Sequence, residues 1–552
     1  MKNQSYLRLS YLVAILLILT SSVYAQLSNS ESYAIKGATI VTVSGATIPN
    51  GTVIIRNGLI AAVGAEVNVP ADVRMIDGKG MTVYPGLIDA YSSYGIRPPS
   101  PPQGGAGTPQ IPAFAQGGGD PTAGLLPEVT VNDLLSVNAE TFDQQRNAGI
   151  TAALTSPRDG VFRGRSAFIN LGTESGEKLL LRSPLALSIG FGGARGSYPG
   201  SLMGVFAFLR QSFLDAKNYQ ELWDNYGKSP RGKARPTHNK SLEALLPVIS
   251  GKMPVIFNVT SEREIRRAIT LGEEFNLKYM LSGAGQSYLI PDLLKQKNAT
   301  VLLSLGFPQK PANLDDPESE SLRVLKDRAE APKAAAALSK AGVKFAFTSG
   351  NLTKASDFIS NAAKAVEAGL AKEEALKALT LYPAQIFGVS EQLGSIEQGK
   401  IANLIVTTGD LFNKDTKIKY TFVDGKQFEV KFPETPKRPE GNGRPGAAPV
   451  AANLNAAGNW TLTINSPAGT MNSPLNIQVD KENVTGEIGS PSGNVSITNG
   501  KLNGNELSFT YSINFQGQQL NINAKGKVEG NSITGSMETM GTSFDFTGVK
   551  KP

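Results

Sequence analysis

Short apolar runs separated by turn residues dominate the start of the chain. They are rich in Ile, Val and Ala, and they predict β-strands at residues 34–43, 53–55 and 59–64. The turn Asn57-Gly58 separates the last two of these strands. A similar β-rich pattern returns at residues 393–406 and 420–423. The chain therefore has two β-rich flanks on either side of a long central region.

Strand and helix patterns alternate through the central region, most clearly after Pro254. Strands are predicted at residues 255–259, 279–281, 301–305 and 344–348, and helical stretches at 357–369 and 371–379. Another helix starts at Ser261, where Glu264 has the spacing of a capping box. This βαβ alternation predicts a parallel sheet, and with its flanks the series best fits an α/β fold of the (β/α)8 barrel type.

Two segments rich in Pro and Gly interrupt these patterns. Residues 96–124 should form a long loop after a strand, which is either a lid over a site or a disordered insertion. Residues 433–452 read as a linker. Beyond the linker, at residues 453–552, apolar and polar residues alternate, which predicts an antiparallel β-barrel or sandwich of about six to eight strands. A barrel of that size is usually filled by its own side chains.

The N-terminus has the pattern of a secretory signal peptide. Lys2 and Arg8 precede the apolar run 11–20, and small residues lead to a cleavage site after Ala25. The run is too short to span a membrane. We therefore expect residues 1–25 to be removed from an exported, periplasmic or secreted protein that does not span the membrane.

Charge and cysteine content narrow the function classes. The formal charge of +7 falls to +5 when Lys2 and Arg8 leave with the signal peptide, and the remaining cations are dispersed among acids. This distribution argues against nucleic acid as a partner. The chain has no cysteine, which excludes disulfides, thiolate metal ligands and a cysteine nucleophile. With 552 residues, the chain is long enough for at least two folded units.

Two ordered motifs identify a family. The segment Tyr84-Pro85-Gly86-Leu87-Ile88-Asp89, together with Pro383-Ala384 and the later Gly394-Ser395-Ile396-Glu397-Gln398-Gly399-Lys400, resembles the imidazolonepropionase-like branch of the amidohydrolase superfamily. The resemblance covers residues 34–430. It implies a (β/α)8 barrel over residues 85–389 and a composite β-sandwich built from residues 26–84 and 390–432.

The same resemblance implies a metal site whose ligands this chain lacks. In the family pattern Pro-Gly-Leu-Ile-Asp-x-His-x-His, Tyr91 and Ser93 replace the two histidines. The remaining ligand positions fall at Asn258, at Gly283, and at Ser349 or Gly350. No carboxylated lysine can be placed. Histidine and carboxylate ligands are what a catalytic divalent metal requires, so we expect no metal cofactor and no catalytic residues of the family type.

Other candidate residues are weaker. His238, the single histidine, lies in a basic loop and reads as an exposed, incidental residue. Asp89 reads as a residue that organises the turn below the site. Arg163, Arg195 and Tyr198 lie in glycine-rich segments that resemble family loops, and they either line the substrate mouth and clamp a carboxylate or are solvated surface residues.

Three hypotheses follow. The first is a metal-free pseudoenzyme that binds a small-molecule ligand or a metal-competent amidohydrolase paralogue. The second is an active hydrolase of cyclic amide or dipeptide C–N bonds that uses unconventional metal ligands. The third is an envelope interaction protein that acts through its C-terminal β-domain. Fold class does not decide among them.

Overall fold

The computed structural model divides into two compact units, residues 1–433 and 434–552. It describes residues 32–96, 125–138, 140–173, 176–192, 198–310, 320–350, 352, 354–430, 456–466, 469–480, 482–490, 493–515, 518–539 and 542–550. The predicted signal peptide, the predicted linker and nearly all of the predicted loop at 96–124 lie outside these ranges.

The first unit mixes strands and helices. Its described strands are β1 Tyr33–Ile40, β2 Ile48–Arg56, β3 Leu59–Gly64, β4 Arg74–Asp77, β5 Thr82–Pro85, β6 Leu87–Ser92, β7 Ile150–Thr155, β8 Phe162–Arg165, β9 Ala167–Asn170, β10 Leu180–Arg182, β11 Leu187–Gly190, β12 Val255–Val259, β13 Tyr279–Gly283, β14 Thr300–Ser304, β15 Phe345–Thr348, β16 Leu404–Thr407, β17 Ile418–Val423 and β18 Lys426–Glu429.

The helices of this unit follow the strands in alternation after β11. They are α1 Val131–Leu134, α2 Asp143–Asn147, α3 Leu202–Lys228, α4 Lys240–Ile249, α5 Glu262–Glu274, α6 Pro291–Gln296, α7 Leu322–Glu330, α8 Ala334–Ala341, α9 Asp357–Glu367, α10 Lys372–Leu379 and α11 Leu381–Ile386. The predicted capping box is present at α5, where the Ser261 hydroxyl accepts from Glu264 N–H.

The two flanks of the first unit meet in one sheet. Its strand order is β18-β17-β16-β5-β1-β2-β3, and β4 pairs with β1. The junction is the antiparallel pairing of β5 with β16, in which Thr82 lies opposite Thr407 and Pro85 opposite Leu404. Branched and aromatic side chains such as Ile35, Val53 and Phe422 are fully buried in its core. Segments more than 300 residues apart therefore complete a single sheet.

The central strands form two further sheets. One has the order β10-β9-β7-β6 and the other β15-β14-β13-β12-β11-β8. Strands β11 to β15 are parallel, as are β6 and β7. On one face of these strands, Phe257, Leu281 and Phe347 pack with helix residues in the large apolar core. On the other face, Ile256 and Leu302 pack with Ile88 of β6 in a smaller core. The expected α/β architecture is present, and the strand series is consistent with the predicted barrel.

One segment departs from a regular (β/α)8 pattern. Strand β9 is antiparallel to β7, and β8 is antiparallel to β11. The predicted barrel would have parallel neighbours at these positions. For β7 and β9 the physical reason is chain length, because residues 156–166, which separate them, are fewer than the dozen or more that a parallel crossover needs.

The second unit is an antiparallel β-structure. Its described strands are β19 Gly458–Ser466, β20 Gly469–Asp480, β21 Asn483–Ser490, β22 Gly493–Ser496, β23 Thr498–Asn503, β24 Glu506–Phe515, β25 Gln518–Glu529, β26 Ser532–Thr539 and β27 Thr542–Lys550. The sequence predicted six to eight strands, whereas nine are found in the described part of this unit. The extra strand arises because residues 493–503, between the turns, divide into β22 and β23.

Eight of these described strands form a closed ring. The order β20-β19-β27-β26-β25-β24-β23-β21 returns to its start through pairing of β20 with β21, and β22 pairs with β21 outside the ring. Trp460, Leu462 and Ile533 are buried in the interior with other apolar side chains. The core of this barrel is therefore filled by its own residues.

Candidate functional site

A cavity of about 550 Å³ lies at the C-terminal ends of the parallel strands. Asn258 near the end of β12, Gly283 at the end of β13 and Ser304 at the end of β14 contribute to its wall. Tyr91 from β6 also faces it. Residues from four strand ends therefore converge on one space, as is usual where α/β folds build sites.

A buried hydrogen-bonded cluster forms the polar part of the cavity floor. The Tyr91 hydroxyl lies 2.7 Å from the Ser188 hydroxyl. The Asn258 side-chain amide donates to both oxygens, at 3.0 Å to Tyr91 and 3.1 Å to Ser188. Tyr91 is 6% exposed and Ser188 is fully buried. Three strands, β6, β11 and β12, are thus cross-linked by neutral polar groups.

The cluster keeps hydrogen-bonding groups that a ligand can use. Both hydroxyl oxygens accept from Asn258, and one hydroxyl donates to the other. One O–H proton is left over, since each hydroxyl carries one donor. If Ser188 donates to Tyr91, the spare proton is that of Tyr91, which lines the cavity. The Asn258 Oδ1 atom is acceptor-only and accepts from no described protein group, so with this direction of the hydroxyl bond the floor presents one donor and one acceptor.

Asp89 lies beneath this floor and joins the first and last central strands. Its Oδ1 accepts from the backbone N–H of Tyr91 at 3.2 Å and of Ser349 at 3.0 Å. Burial raises the pKa of the Asp89 carboxyl, and this effect exceeds the opposing hydrogen bonds from Ser349, Tyr94 and Tyr91. The interpretation of Asp89 as an organiser of the turn agrees with these contacts, which fix the ends of β6 and β15.

Burial also raises the pKa of the neighbouring Tyr94 phenol, and the nearby Asp89 charge adds to that rise. Oδ2 of Asp89 has no hydrogen-bond partner among the described residues. A fully buried carboxyl without a cation beside it is favoured in its neutral form. Burial therefore disfavours the charged form of Asp89.

Two of the former ligand positions have backbones that require glycine. Gly283 has φ +89°, and a Cβ there would lie 2.5 Å from the Val259 carbonyl oxygen. Gly350 has φ +55°, and its Cβ would lie 2.0 Å from the Ser304 hydroxyl. Both conformations disfavour any side chain. At Gly283 and Gly350, the cavity wall therefore consists of backbone, whereas the family pattern has side-chain ligands at these positions.

The charged groups of the cavity lie above the neutral floor. Arg158 and Arg163 line it, and the Arg163 guanidinium lies so close to Gly190 that a Cβ at Gly190 would be 2.1 Å from Nη2. Of the two acids in the wall, Glu264 accepts from the Thr260 and Ser261 N–H groups. Asp327 accepts from the Tyr288 hydroxyl at 2.8 Å. Both carboxylates have hydrogen-bond donors from the protein. Arg163 Nε donates to the uncharged Gly160 carbonyl oxygen at 3.4 Å, and neither arginine forms an ion pair with a described carboxylate.

These residues do not fit the metal that the family pattern implies. The polar part of the cavity floor consists of two hydroxyls and an amide, which are neutral and hydrogen-bonded to one another. In the described part of the chain, no group of three His, Cys, Asp or Glu side chains could hold a metal ion. Lysine is absent from the described cavity wall. A divalent catalytic metal needs at least three imidazole or carboxylate ligands, which these positions do not supply.

The structure brings some predicted site residues together and separates others. Tyr91, Asn258, Gly283 and Arg163 line the cavity. Ser349 is buried beside it and donates its N–H to Asp89, while Ser93 is half-buried and does not line the wall. Arg195 falls outside the described residues.

Tyr198 and His238 lie away from the cavity wall. Tyr198 is half-exposed and contacts the Phe208 ring on α3. His238 is exposed, and its Nε2 lies 2.7 Å from Glu243 Oε2. That surface position agrees with the interpretation of His238 as incidental.

The sequence interpretation missed Ser188 and Arg158. Ser188 lies in the run Leu187-Ser188-Ile189-Gly190, whose single polar residue inside a buried strand was the available signal. Arg158 follows directly after a strand in Ser156-Pro157-Arg158, a position from which side chains often reach a site. Neither residue belongs to a motif that names its role.

In the ranges that the structure describes, no helix is both long enough and apolar enough to cross a bilayer.

Parts of the sequence are similar to the amidohydrolase family and to a known deacetylase. The amidohydrolase family matches residues 290–428. A stretch of 68 residues is 44% identical to N-acetylglucosamine-6-phosphate deacetylase of Haemophilus influenzae, and it covers 12% of this chain and 16% of that enzyme. The match therefore spans less than a fifth of the deacetylase.

One solved structure has a similar fold, and a second matches less well. An amidohydrolase from Thermotoga maritima MSB8 matches with a TM-score of 0.59 and 24% identity, over 72% of this chain and 100% of that chain. A Xaa-Pro dipeptidase with bound methionine matches with a TM-score of 0.44 and 14% identity, also over 72% of this chain and 100% of that chain. The family match covers residues 290–428, and the likeness to the Thermotoga maritima structure shows an amidohydrolase-like fold.

Proposed function

We propose that this protein binds a small amide that carries a carboxylate, in the cavity at the C-terminal ends of its strands, without a catalytic metal. The observation that carries the proposal is the hydrogen-bonded cluster of Tyr91, Ser188 and Asn258, in which Tyr91 and Asn258 occupy former ligand positions. In this proposal the central strands close as a (β/α)8 barrel that contains one antiparallel segment. Asp89 joins β6 to the end of β15.

The ligand class follows from the donors and acceptors of the cavity. A ligand amide can accept the spare Tyr91 proton at its carbonyl and donate its N–H to Asn258 Oδ1. A carboxylate can pair with Arg163 and Arg158, because guanidinium groups match carboxylate geometry. N-acyl amino acids, dipeptides and cyclic amides with a carboxylate satisfy both requirements. A cavity of about 550 Å³ is large enough for such molecules.

Calorimetric titration with N-acetylalanine tests this proposal. Alanine lacks the acetamide and N-acetylalaninamide lacks the carboxylate, so each should bind at least about tenfold more weakly, the loss expected for one charge-assisted or buried hydrogen bond. Arg163→Gln should weaken N-acetylalanine but leave N-acetylalaninamide unchanged. Equal affinities for all three compounds would overturn the ligand class.

Metal content tests the second half of the proposal. The purified full chain should contain substoichiometric zinc, manganese and iron by elemental analysis, and ligand affinity should not change with chelator. Stoichiometric metal that chelator removes together with ligand binding would sink the metal-free interpretation.

A second candidate function is hydrolysis of an amide bond in the same cavity. It is favoured by the 44% identity with the deacetylase over 68 residues. Hydrolysis predicts release of acetate from N-acetyl compounds, at a rate that Asn258→Leu abolishes. Binding without any acetate release would reject it for these compounds.

We further propose that residues 1–25 direct export, which leaves the protein in the periplasm or outside the cell. Mass spectrometry of the extracytoplasmic fraction should then find a mature N-terminus at Gln26. Partnership with a metal-competent paralogue also remains a proposal, and co-purification of such a paralogue with the tagged full chain tests it. Envelope interaction through residues 453–552 is tested by deleting them and measuring envelope association.

A further inference from the structure

A second cavity lies at the opposite ends of the same strands. Its volume is about 670 Å³. Pro254 precedes β12, Met280 lies near the start of β13, Thr300 starts β14 and Lys344 precedes β15, and all four residues line it. The first cavity uses the C-terminal ends of these strands, so the bodies of the strands, about 15 Å long, separate the two cavities.

The inner wall of this second cavity is apolar and adaptable. Leu185, Met253, Met280 and Phe345 line it and are at most 8% exposed. Two of the four are methionines, whose unbranched side chains adjust to the shape of a ligand. The wall therefore suits the aliphatic or aromatic body of a small molecule.

The rim of this cavity carries unbalanced positive charge. Lys252, Lys344 and Arg182 line it, and none of them forms an ion pair with a described carboxylate. Arg182 Nη1 donates to the Phe387 carbonyl oxygen at 2.7 Å, a partner without charge.

The one acid in the wall is already engaged. Glu374 accepts from the Tyr382 hydroxyl at 3.0 and 2.9 Å and pairs with Lys377 at 3.2 Å. Its charge is therefore shared with a cation outside the cavity wall, and the three cations of the rim outweigh it. An anionic group that enters the rim meets a positive potential, which low-dielectric walls concentrate.

We propose that this cavity is a second binding site, which takes a small monoanion with an apolar body, such as a medium-chain carboxylate. The carboxylate lies at the rim between Lys252 and Lys344, and the hydrocarbon chain packs against Met253, Met280 and Phe345. This site does not depend on the function proposed for the first cavity.

Titration of the full chain with straight-chain carboxylates tests the site. Affinity should rise from butanoate through hexanoate to octanoate by up to about fourfold for each added methylene, because each one leaves water for the apolar wall. Octanamide has the same chain without the charge and should bind about tenfold more weakly than octanoate. Octylammonium should bind more weakly still.

Charge variants locate the site. The double variant Lys252→Gln/Lys344→Gln should weaken octanoate at least about fivefold and leave octanamide unchanged. The matched control Lys228→Gln/Lys240→Gln removes two exposed lysines elsewhere and should leave octanoate affinity unchanged. Ser339→Phe places a ring in the cavity and should weaken octanoate and octanamide alike.

Three results would overturn the proposal. The first is equal affinity for octanoate and octanamide, which removes the role of the cationic rim. The second is loss of octanoate binding with Arg163→Gln, which assigns the molecule to the first cavity. The third is failure of every carboxylate to bind to the folded chain.

Discussion

The two folded units of this chain treat buried polar side chains differently. In the α/β unit, Asp89, Ser188 and Thr348 are at most 1% exposed and lie on strands near the ends that face the first cavity. In the described part of the C-terminal barrel, Ser473 is the one buried polar side chain, and its hydroxyl donates to a backbone carbonyl. Both units bury apolar residues in the same way.

This difference in buried polar side chains indicates which unit holds a ligand site. A buried polar group costs free energy unless it is hydrogen-bonded, so a unit that needs only stability uses few of them. The barrel follows that rule. The α/β unit keeps a cluster of neutral polar groups at one end of its strands, and the free donor and acceptor of that cluster are what a ligand can use.

We expect the greatest loss of stability from a substitution in the apolar core of the barrel. Trp460 is 1% exposed in the barrel core, and its indole N–H donates to the Ala456 carbonyl at 2.9 Å. Trp460→Ala should lower the free energy of unfolding of the barrel by about 3–5 kcal/mol because it leaves a large cavity. Val549→Ala, at a position 64% exposed, is the control and should change stability little. Urea denaturation followed by circular dichroism measures both.

The polar side of the comparison is tested at Asp89. Asp89→Ala removes the acceptor of two backbone N–H groups and should cost about 2–4 kcal/mol. Asp89→Asn keeps an acceptor oxygen and is the matched variant. If both variants unfold at the same urea concentration, the two hydrogen bonds do not hold the strand ends together.

The free energies of unfolding of the native chain and of the Asp89→Asn variant should depend differently on pH. The folded state raises the pKa of Asp89, so it keeps a proton that the unfolded chain releases above about pH 4. The contribution of this group to the free energy of unfolding therefore falls as pH rises above about 4. The Asp89→Asn variant lacks that slope, so its stability relative to the native chain should rise over this range. An unchanged difference between the two would contradict a raised pKa.

A smaller effect is expected at the glycine of the cavity wall. Gly283→Ala places a Cβ at φ +89° and 2.5 Å from the Val259 oxygen, and it should cost about 1–3 kcal/mol. Gly285→Ala is the matched control, because its Cβ would meet the Thr260 oxygen only at 4.0 Å. Thermal unfolding of both variants checks the prediction.

The smallest change in stability is expected at Tyr91, and it tests whether the polar cluster binds the ligand. Tyr91→Phe removes one hydroxyl and should change the free energy of unfolding by about 1 kcal/mol. It should also weaken N-acetylalanine about tenfold because the donor to the ligand carbonyl is lost. Ser512→Ala removes an exposed hydroxyl that donates to Asn521 in the barrel and serves as a control. A Tyr91→Phe variant with native ligand affinity would remove Tyr91 from the site.

Much of the fold could be predicted because its signals are local. The capping box at Ser261 and Glu264, the parallel run from β11 to β15 and the alternating strands after residue 453 each follow from neighbouring residues. The antiparallel segment of β8 and β9 was missed, because both strands have only four residues and the pattern within a strand does not indicate the direction of its partner.

The candidate site was only partly predictable for the opposite reason. Tyr91 and Asn258 could be located through a family motif, but Ser188 meets Tyr91 across 97 positions and no local pattern marks that contact. The positive φ of Gly283 was also invisible, since glycine occurs in many conformations. Long-range pairing and backbone geometry, which make the cavity, are properties of the folded chain alone.

The junction of β5 with β16 has a consequence for how the protein is made. Thr82–Pro85 cannot find its partner Leu404–Thr407 until more than 300 further residues have been synthesised. Such distant pairing slows folding, because a long loop must close before any stabilising contact forms. The first unit therefore stays incomplete on the ribosome until its last strands emerge, whereas the C-terminal barrel pairs mainly sequence neighbours and can fold soon after its own synthesis ends.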